Sequence, residues 1–458
     1  MQMAMACRMY SSKARIRDPN GDEEPDMTTD VQYLLTGVRV LDPSANIDGV
    51  HDVLVSPGRV ELDPSHVPAE AKRIAAEGLW ALPGLIDLQV HFRQPGFEYK
   101  ETLETGAAAA FAGGVTTVVV MPNTKPSLDT PESVRFQMEE GARCGLRLLV
   151  AAAATEGLGG NKLTNHGALS DAGAVAITDD GLPVLDDDLM KASLEQCAAN
   201  DLLFMQHAED TRMTGHAPMT ACDVSERLGV RGQPADAEGV MVERDIRLAE
   251  QTGARYHVLH TSTARSLHAI RRAKAAGIPV SCEASPHHLL LNTDACSEGD
   301  PNKKMNPPLR EEVDRQALVD ALIDGTVDAV ATDHAPHGAD EKAQGFVDAP
   351  FGVIGLETAF AALLRFYHEG RISAERTVDL MTGGPARVLR QSASMGTLVG
   401  EQAPADLCLV DPQREWEVTP ETLAGRSKNS AFLGETFQGK VLATFSGGRA
   451  RYLDPSLS

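Results

Sequence analysis

The sequence predicts an α/β fold: a (β/α)8 TIM-type barrel with a small β domain built from both chain ends. Eight short apolar, β-branched runs follow one another from Leu85 onwards, separated by stretches of helical length and composition. Polar residues cluster where these runs end, and barrels of this kind carry their active sites at the carboxyl ends of the strands. A doubly wound sheet is the alternative, but it would not explain polar clusters at so many strand ends.

The predicted strands and helices of the barrel alternate without interruption. The strands are 85–92, 116–123, 147–154, 174–179, 202–208, 256–261, 279–285 and 328–334. Helical stretches between them include 101–112, 187–199, 238–252, 264–276 and 311–323. We therefore assign residues 82–388 to the barrel.

The two flanks of the barrel have a different character. Short strand-like pieces occur at 34–40 and 53–55 near one end and at 405–410 and 440–445 near the other. Neither flank alone has enough strands for an independent sheet, so we expect 31–81 and 389–453 to form one composite β domain. Residues 1–30 are polar and of mixed charge, which predicts a disordered tail, with Met27 as an alternative start.

Composition indicates which types of binding partner are expected and in which cellular compartment the protein is found. The net charge is −23, which argues against nucleic acid or an anionic membrane as the main partner. A small anionic substrate would then need a local cationic pocket. No apolar run approaches the ~20 residues that span a bilayer. The seven cysteines form no C-x-x-C pair, and their odd number favours a reducing, cytoplasmic location.

Residues able to bind a metal or an anion follow several predicted strands. They are Gln89, His91, Arg93, Asn123, Asp179, Asp180, His207, His260, Asp333 and His337. One histidine in an apolar strand is usually a core residue, but three strands ending in His or Asp-His at one barrel mouth indicate a shared site. Imidazole and carboxylate together form the ligand set of Zn²⁺ or a similar divalent metal.

The order of longer motifs is more specific than any single residue. The segments are PGLIDLQVHFRQPG, AGGVTTVVVMPNT, AITDDGLPV, HAED, HTST, SCEASPHHLLL, KMNPPLR, ATDHAPH, APFGVIGLETAF and PADLCLVDP. In this order the chain resembles the class I dihydroorotases of the amidohydrolase superfamily, from Val31 to Arg451. Gln89 stands where that family usually has the first histidine of an H-x-H motif.

The resemblance implies a role for each matched position. The implied metal ligands are His91, Asp180, His207, His260 and Asp333, with Gln89 at a doubtful ligand position and Asp180 as the bridging carboxylate. The residues alone leave open whether Asp179 or Asp180 faces the metal. Taken singly, Asn306 and Phe351 would be ordinary loop residues. The implied substrate-binding residues are Arg93, Asn123 and His337 for a carboxylate, Asn306 for the ring amides, and Phe351 and Gly352 for the pocket wall.

The implied reaction is the reversible cyclisation of N-carbamoyl-L-aspartate to L-dihydroorotate in pyrimidine synthesis. A metal-activated hydroxide would act in the hydrolytic direction, with Asp333 as the catalytic proton shuttle. The implied cofactor is Zn²⁺, one or two ions per chain. We favour one, because a neutral glutamine amide is a poorer zinc ligand than imidazole. The resemblance also implies a homodimer and allows an aspartate transcarbamoylase partner.

Two other functions compete with this interpretation. The first is a non-catalytic dihydroorotase-like scaffold subunit of aspartate transcarbamoylase, and Gln89 is the positive evidence for it. The second is another cyclic-amide hydrolase, such as an allantoinase or a hydantoinase. The absence of a lysine in the fourth-strand motif, and the presence of Arg93, Asn123 and His337, count against this second alternative.

Overall fold

The computed structural model describes residues 31–457, so the predicted tail at 1–30 lies outside the described residues. The described part begins with five strands that form one sheet with the last three strands of the chain. The five are β1 (Tyr33–Asp42), β2 (Ile47–Ser56), β3 (Arg59–Leu62), β4 (Lys72–Ala75) and β5 (Trp80–Pro83).

Strand β5 leads through Gly84 into a parallel barrel. A Cβ atom at Gly84 would lie 2.2 Å from Thr116 Oγ1, so only glycine fits this junction. The barrel strands are β6 (Leu85–Val90), β7 (Val115–Val120), β8 (Arg147–Ala153), β9 (Ala176–Thr178), β10 (Leu203–Gln206), β13 (Arg255–Val258), β14 (Val280–Ala284) and β15 (Ala329–Val330). Strands β11 (Met219–Thr220) and β12 (Gly232–Gln233) form a separate pair. The main-chain N–H of His91 donates to the His334 carbonyl at 2.8 Å, which joins the first and last strands.

Helices follow most barrel strands. They are α1 (Leu103–Ala112), α2 (Pro131–Arg143), α3 (His166–Asp171), α4 (Asp187–Ala199), α5 (Thr211–Thr214), α6 (Asp223–Leu228), α7 (Asp236–Thr252), α8 (Ala264–Ala275), α9 (Pro286–Leu290), α10 (Glu312–Asp324), α11 (Ala339–Lys342), α12 (Ala359–His368), α13 (Ala374–Asp379) and α14 (Gly383–Val388). The side chains of Thr102, Thr130 and Thr263 cap α1, α2 and α8. The five predicted helices are present, with ends shifted by at most two residues.

The last three strands complete the composite sheet. They are β16 (Leu407–Glu417), β17 (Thr436–Ser446) and β18 (Arg449–Leu453). The order is β18-β17-β16-β5-β1-β2-β3, with β4 on β1, and β16 runs antiparallel to β5 with Leu407 opposite Pro83. The predicted pairing of the two chain ends is thereby confirmed. The residue boundaries of the barrel and of the small domain stay predictions.

Several barrel strands end earlier than the sequence predicts. Strand 256–261 stops at Val258, and 328–334 is reduced to Ala329–Val330. Neither strand can run to its predicted end, because His260 at φ +30° and Asp333 at φ +49° have left-handed backbone. A residue with positive φ cannot continue an extended strand. The metal-ligand candidates therefore lie on the loops just beyond the strands.

The apolar core has two main parts. One cluster, which includes Ile86, Val119 and Met205, joins residues of different barrel strands. The larger cluster, which includes Val118 and Leu267, joins strands to the surrounding helices. None of the helices in residues 31–457 is long and apolar enough to cross a membrane. The six cysteines in this part of the chain are free thiols.

Candidate active site

Asp180, and not Asp179, faces the barrel mouth. Asp179 points to the neighbouring loop, where its Oδ1 accepts hydrogen bonds from the main-chain N–H groups of Ala154 at 2.8 Å and Thr155 at 3.0 Å. The Thr155 hydroxyl donates to the other oxygen of Asp179. Asp179 is therefore a structural acceptor, which leaves Asp180 as the carboxylate available to a metal.

Asp180, His207 and His260 form a compact, buried group of metal-binding atoms. Asp180 Oδ1 lies 3.7 Å from His207 Nδ1 and 3.7 Å from His260 Nε2, and these two nitrogens are 2.9 Å apart. Tetrahedral zinc with bonds of ~2.0–2.1 Å separates its ligand atoms by ~3.3 Å, so the donor set fits such an ion. Although burial opposes ionisation, hydrogen bonds from His260 and His91 hold the pKa of Asp180 well below its usual range.

Glu209, which was not predicted from the sequence, orients His207. Its Oε2 lies 3.1 Å from His207 Nε2 and accepts a hydrogen bond from Asn306 Nδ2 at 2.8 Å. A carboxylate on one imidazole nitrogen keeps the proton there and leaves the other nitrogen free to bind a metal. Nδ1, the nitrogen that faces Asp180, is therefore the atom available to a metal. The signal was present in HAED, where Glu209 follows His207 by two residues.

A second group of polar atoms shares Asp180 from its other side. His91 Nε2 lies 3.1 Å from Asp180 Oδ2 and 2.9 Å from Asp333 Oδ1, and Gln89 Nε2 donates to Asp180 Oδ2 at 3.2 Å. The two carboxylates outweigh the effect of burial and raise the pKa of His91 to about 9. Each oxygen of Asp180 thus faces a different set of side chains, which is the arrangement expected of a bridging carboxylate.

Gln89 presents its amide nitrogen to this group. A carboxylate only accepts hydrogen bonds, so the NH2 end of Gln89 must face Asp180. Gln89 Oε1 is buried and has no hydrogen-bond partner in the described part of the chain. An N–H group cannot bind a metal, so this side chain holds Asp180 by a hydrogen bond in the observed orientation.

The backbone is strained at two of these residues. His260 and Asp333 both have positive φ, a conformation that costs ~1–3 kcal/mol in a non-glycine residue. Buried Asp87 supports the second of them, because its Oδ1 accepts from the N–H of Thr332 at 3.1 Å and from the N–H of Gln89 at 3.1 Å. One carboxylate therefore ties the segment of Gln89 to the segment of Asp333. Such strain is typical of functional sites.

Arg93 and Asn123 lie on the side of the site next to His91. Arg93 Nε donates to the Pro336 carbonyl at 3.1 Å, and its two Nη groups carry the four remaining donors. Burial lowers the pKa of Arg93 to about 10, so it stays charged at neutral pH. Asn123 Oδ1 lies 2.8 Å from His91 Nδ1, which leaves the amide N–H groups for another acceptor. Both side chains can therefore donate to an anion.

His337 is held on both sides. Its Nε2 donates to the Phe351 carbonyl at 2.8 Å, and its Nδ1 lies 3.2 Å from Lys100 Nζ. Burial and the nearby charges of Arg93 and Lys100 lower the pKa of His337 to about 2. The ring is thus neutral and adjacent to Arg93, but neither nitrogen is free in this arrangement.

The remaining predicted residues lie at two places on the wall of the site. Asn306 Nδ2 is 3.1 Å from His207 Nε2, and its buried Oδ1 has no hydrogen-bond partner within residues 31–457. Gly352 has φ +118°, and a Cβ atom there would lie 2.6 Å from the Cβ of Ala335. Phe351 precedes it, with the Lys304 ammonium 4.5 Å from its ring centre.

Comparisons with known proteins agree on one family. Residues 78–266 match the family described as dihydro-orotase-like. The dihydroorotase of Anaeromyxobacter dehalogenans (strain 2CP-C) is 43% identical over 426 residues, which cover 92% of this chain and 98% of that protein. The dihydroorotase of Solibacter usitatus (strain Ellin6076) is 42% identical over 417 residues, 90% of this chain and 96% of that protein. The chain belongs to the dihydroorotase family. The resemblance to this family that the ordered motifs indicated is confirmed.

Solved structures confirm the barrel fold. The L-hydantoinase of Arthrobacter aurescens superposes with a TM-score of 0.79 at 24% identity, over 92% of this chain and 96% of that one. A D-hydantoinase from a Thermus species gives a TM-score of 0.79 at 23% identity, over 92% and 95%. Dihydroorotases and hydantoinases are cyclic amidohydrolases of a metal-dependent superfamily, which agrees with a site rich in metal-binding groups.

In this family member, Asn429 connects the loops that carry the predicted substrate residues. Its Nδ2 donates to the carbonyls of Ala335 at 3.0 Å and Gly352 at 3.2 Å, and its Oδ1 accepts from the N–H of His337 at 3.2 Å. Its own carbonyl accepts from the N–H of Ile354 at 3.1 Å. Asn429 was not predicted, because no local sequence pattern marks a residue whose contacts lie far along the chain.

Proposed function

We propose that this protein is a dihydroorotase that interconverts N-carbamoyl-L-aspartate and L-dihydroorotate. The observation that carries the proposal is Asp180, whose two oxygens face two groups of metal-binding side chains, with Asp333 and Arg93 on the side of His91. In ring closure the carbamoyl nitrogen bonds to the side-chain carboxyl carbon and water leaves. In ring opening water adds to that carbon and the C–N bond breaks.

Asp180, His207 and His260 would hold one divalent metal, which we propose to be zinc. Two imidazoles and a carboxylate with room for water are the composition of a catalytic zinc site. Such an ion supplies a water of lowered pKa and polarises the reacting carbonyl. Glu209 keeps the His207 proton on Nε2, so that Nδ1 stays available.

Asp333 would carry the proton. During ring opening its carboxylate takes a proton from the attacking water and returns it to the departing ring nitrogen, and ring closure reverses these steps. His91 lies 2.9 Å from Asp333 Oδ1 and holds the carboxylate in place. Asp333 lies in the loop after β15 and has positive φ.

Arg93, Asn123 and His337 would bind the carboxylate that does not react. Arginine offers paired donors that match a carboxylate, and Asn123 adds an amide donor. His337 would join them after its bond to Lys100 or Phe351 exchanges. The buried, unpaired Oδ1 of Asn306 suits a ring N–H, and Phe351 with Gly352 would close the wall.

The test of this function is an assay of both directions with zinc-loaded protein, run beside hydantoin and allantoin. We expect turnover of L-dihydroorotate and N-carbamoyl-L-aspartate. Preference for hydantoin or allantoin would identify a different cyclic amidohydrolase. No turnover of any substrate by metal-loaded protein would favour the transcarbamoylase scaffold. We further propose that the protein is a cytoplasmic homodimer. Light scattering measures the mass of the particle in solution, and it also shows whether aspartate transcarbamoylase binds to it.

Replacing Gln89 by histidine is expected to raise the zinc content from about one to about two ions per chain. Imidazole would supply a basic nitrogen where the amide N–H now faces Asp180, and so complete a second position with His91 and Asp333. Metal analysis after dialysis measures the change. Gln206, also buried in the barrel and bonded to Asp245, provides the control, because Gln206→His should leave the content near one. Two tightly held zincs in the unaltered protein would contradict the proposal.

Replacing Asn429 by alanine is expected to raise KM by about tenfold or more with a smaller effect on kcat. The change removes three hydrogen bonds that fix His337 and Gly352, and each net bond is worth ~0.5–1.5 kcal/mol. Steady-state kinetics and thermal unfolding separate positioning from stability. Asn161→Ala, in an exposed loop, is the matched control. A fall in apparent kcat with unchanged KM, together with a lower melting temperature, would indicate partial unfolding instead.

A further inference from the structure

A cleft of about 630 Å³ opens beside His337. The residues that line it include Tyr99, Lys342, Arg426, Lys428 and Asn429. Because His337 and Asn429 belong both to this cleft and to the candidate active site, the cleft is adjacent to the substrate pocket. Arg426 and Lys428 come from the segment between β16 and β17, so the composite β domain contributes this wall of the cleft.

The cations of the cleft are held by main-chain carbonyls. Lys342 Nζ donates to the carbonyls of Pro301 at 2.8 Å and Pro350 at 3.0 Å. Lys428 Nζ donates to the carbonyl of Gly425 at 2.7 Å, and Arg426 donates to the carbonyl of Glu98. A carbonyl orients an ammonium or guanidinium group without cancelling its charge.

No carboxylate is among the described residues that line the cleft. Asp300 and Glu341 lie near Lys342, and Glu357 and Glu421 lie near Lys428. Lys100 pairs with Glu341 at 2.9 Å, and the Tyr99 hydroxyl donates to Glu341 as well. Within residues 31–457 no carboxylate forms an ion pair with Lys342, Arg426 or Lys428. Burial and the Lys304 ammonium lower the pKa of Lys342 to about 7, against the attraction of Asp300 and Glu341. Arg426 and Lys428 are therefore the cations best suited to a test.

A positive cleft is unexpected on a chain whose net charge is −23. The field of the whole molecule repels anions, whereas a cleft lined by one sign of charge concentrates ions of the opposite sign. We infer that this cleft is an anion-collecting entrance that draws dicarboxylate substrates towards Arg93 and His337. This inference rests on the proposed function and specifies the substrate charge that the entrance favours.

The two substrates of the proposed reaction differ in charge. N-carbamoyl-L-aspartate carries two carboxylates and L-dihydroorotate carries one, so the entrance attracts the open-chain substrate more strongly. KM is the informative quantity. The equilibrium constant fixes the ratio of the two kcat/KM values, so any variant must change kcat/KM by the same factor in both directions. Only KM and kcat taken separately can therefore differ between the two substrates.

The experiment compares the holoenzyme with the Arg426→Gln/Lys428→Gln variant. Glutamine keeps a polar side chain with an N–H donor but has no charge. At low salt we expect KM for N-carbamoyl-L-aspartate to rise about threefold to tenfold, with kcat for ring closure within about twofold, and KM for L-dihydroorotate to rise less. Raising the ionic strength to about 0.3 M should remove most of the difference between the two proteins.

The control is Arg135→Gln/Arg272→Gln, which makes the same change in net charge at exposed positions on the outer helices α2 and α8. It should leave both KM values unchanged, and the single variant Arg426→Gln repeats the test with less disturbance. Equal KM values in the double variant and the unaltered enzyme would contradict the proposed role of the cleft as an entrance. A larger rise for L-dihydroorotate than for N-carbamoyl-L-aspartate would also overturn it. If the unaltered holoenzyme turns over neither substrate, the proposed function fails instead.

Discussion

Replacing Asp333 by asparagine is expected to lower kcat in both directions by about 10²- to 10⁴-fold, the usual contribution of a positioned acid–base group. Asparagine keeps the size of the side chain and an oxygen that can accept from His91 Nε2. It cannot take up or release a proton at neutral pH. The loss should therefore appear in kcat, with little change in KM.

The same variant should keep its zinc, because Asp180, His207 and His260 form their group without Asp333. Zinc content and kcat measured on one preparation distinguish loss of the proton carrier from loss of the metal. Asp328, the residue before β15, pairs with Lys274 at 2.6 Å and provides the control. Asp328→Asn should change stability but leave kcat within about twofold. An Asp333→Asn enzyme with more than a tenth of the original kcat would rule out the proton role.

The sequence predicted the barrel and most of the site for a simple geometric reason. Parallel strands that close a barrel bring their carboxyl ends together, so polar residues that follow several strands must meet at one mouth. His91 and His260 lie 169 residues apart, with His207 between them, yet each of the three follows a strand and contacts Asp180. Strand position alone was enough to group them.

Details that depend on single backbone angles or distant contacts could not be predicted. The sequence does not reveal that His260 and Asp333 have positive φ, so the predicted strands ran too far. Adjacent carboxylates such as Asp179 and Asp180 face opposite ways, and only the contacts of Asp179 with Thr155 decide which one enters the site. Asn429 reaches the site through the composite β domain, whose pairing is not local.

Replacing Asp180 by asparagine is expected to remove the metal and nearly all activity. Asp180 is the one side chain that both groups of donors share, with Oδ1 towards His207 and His260 and Oδ2 towards His91. Changing a residue that merely supports a ligand weakens metal binding by ~10–100-fold, so losing a direct ligand should cost more than ~100-fold. Zinc measured after dialysis, and activity with added zinc, report the loss.

Asp179→Asn is the matched control, since it makes the same chemical change one residue away. Asp179 accepts from Ala154 and Thr155, and burial raises its pKa to about 6, so the variant should lose stability without losing zinc. The pair thus separates a fold-supporting carboxylate from a metal-binding one at adjacent positions. If Asp179→Asn lost zinc while Asp180→Asn kept it, the assignment of the bridging carboxylate would be wrong. Because His91 contacts Asp180 and not Asp179, that outcome would also require the loop after β9 to adopt a different conformation in the metal-bound enzyme.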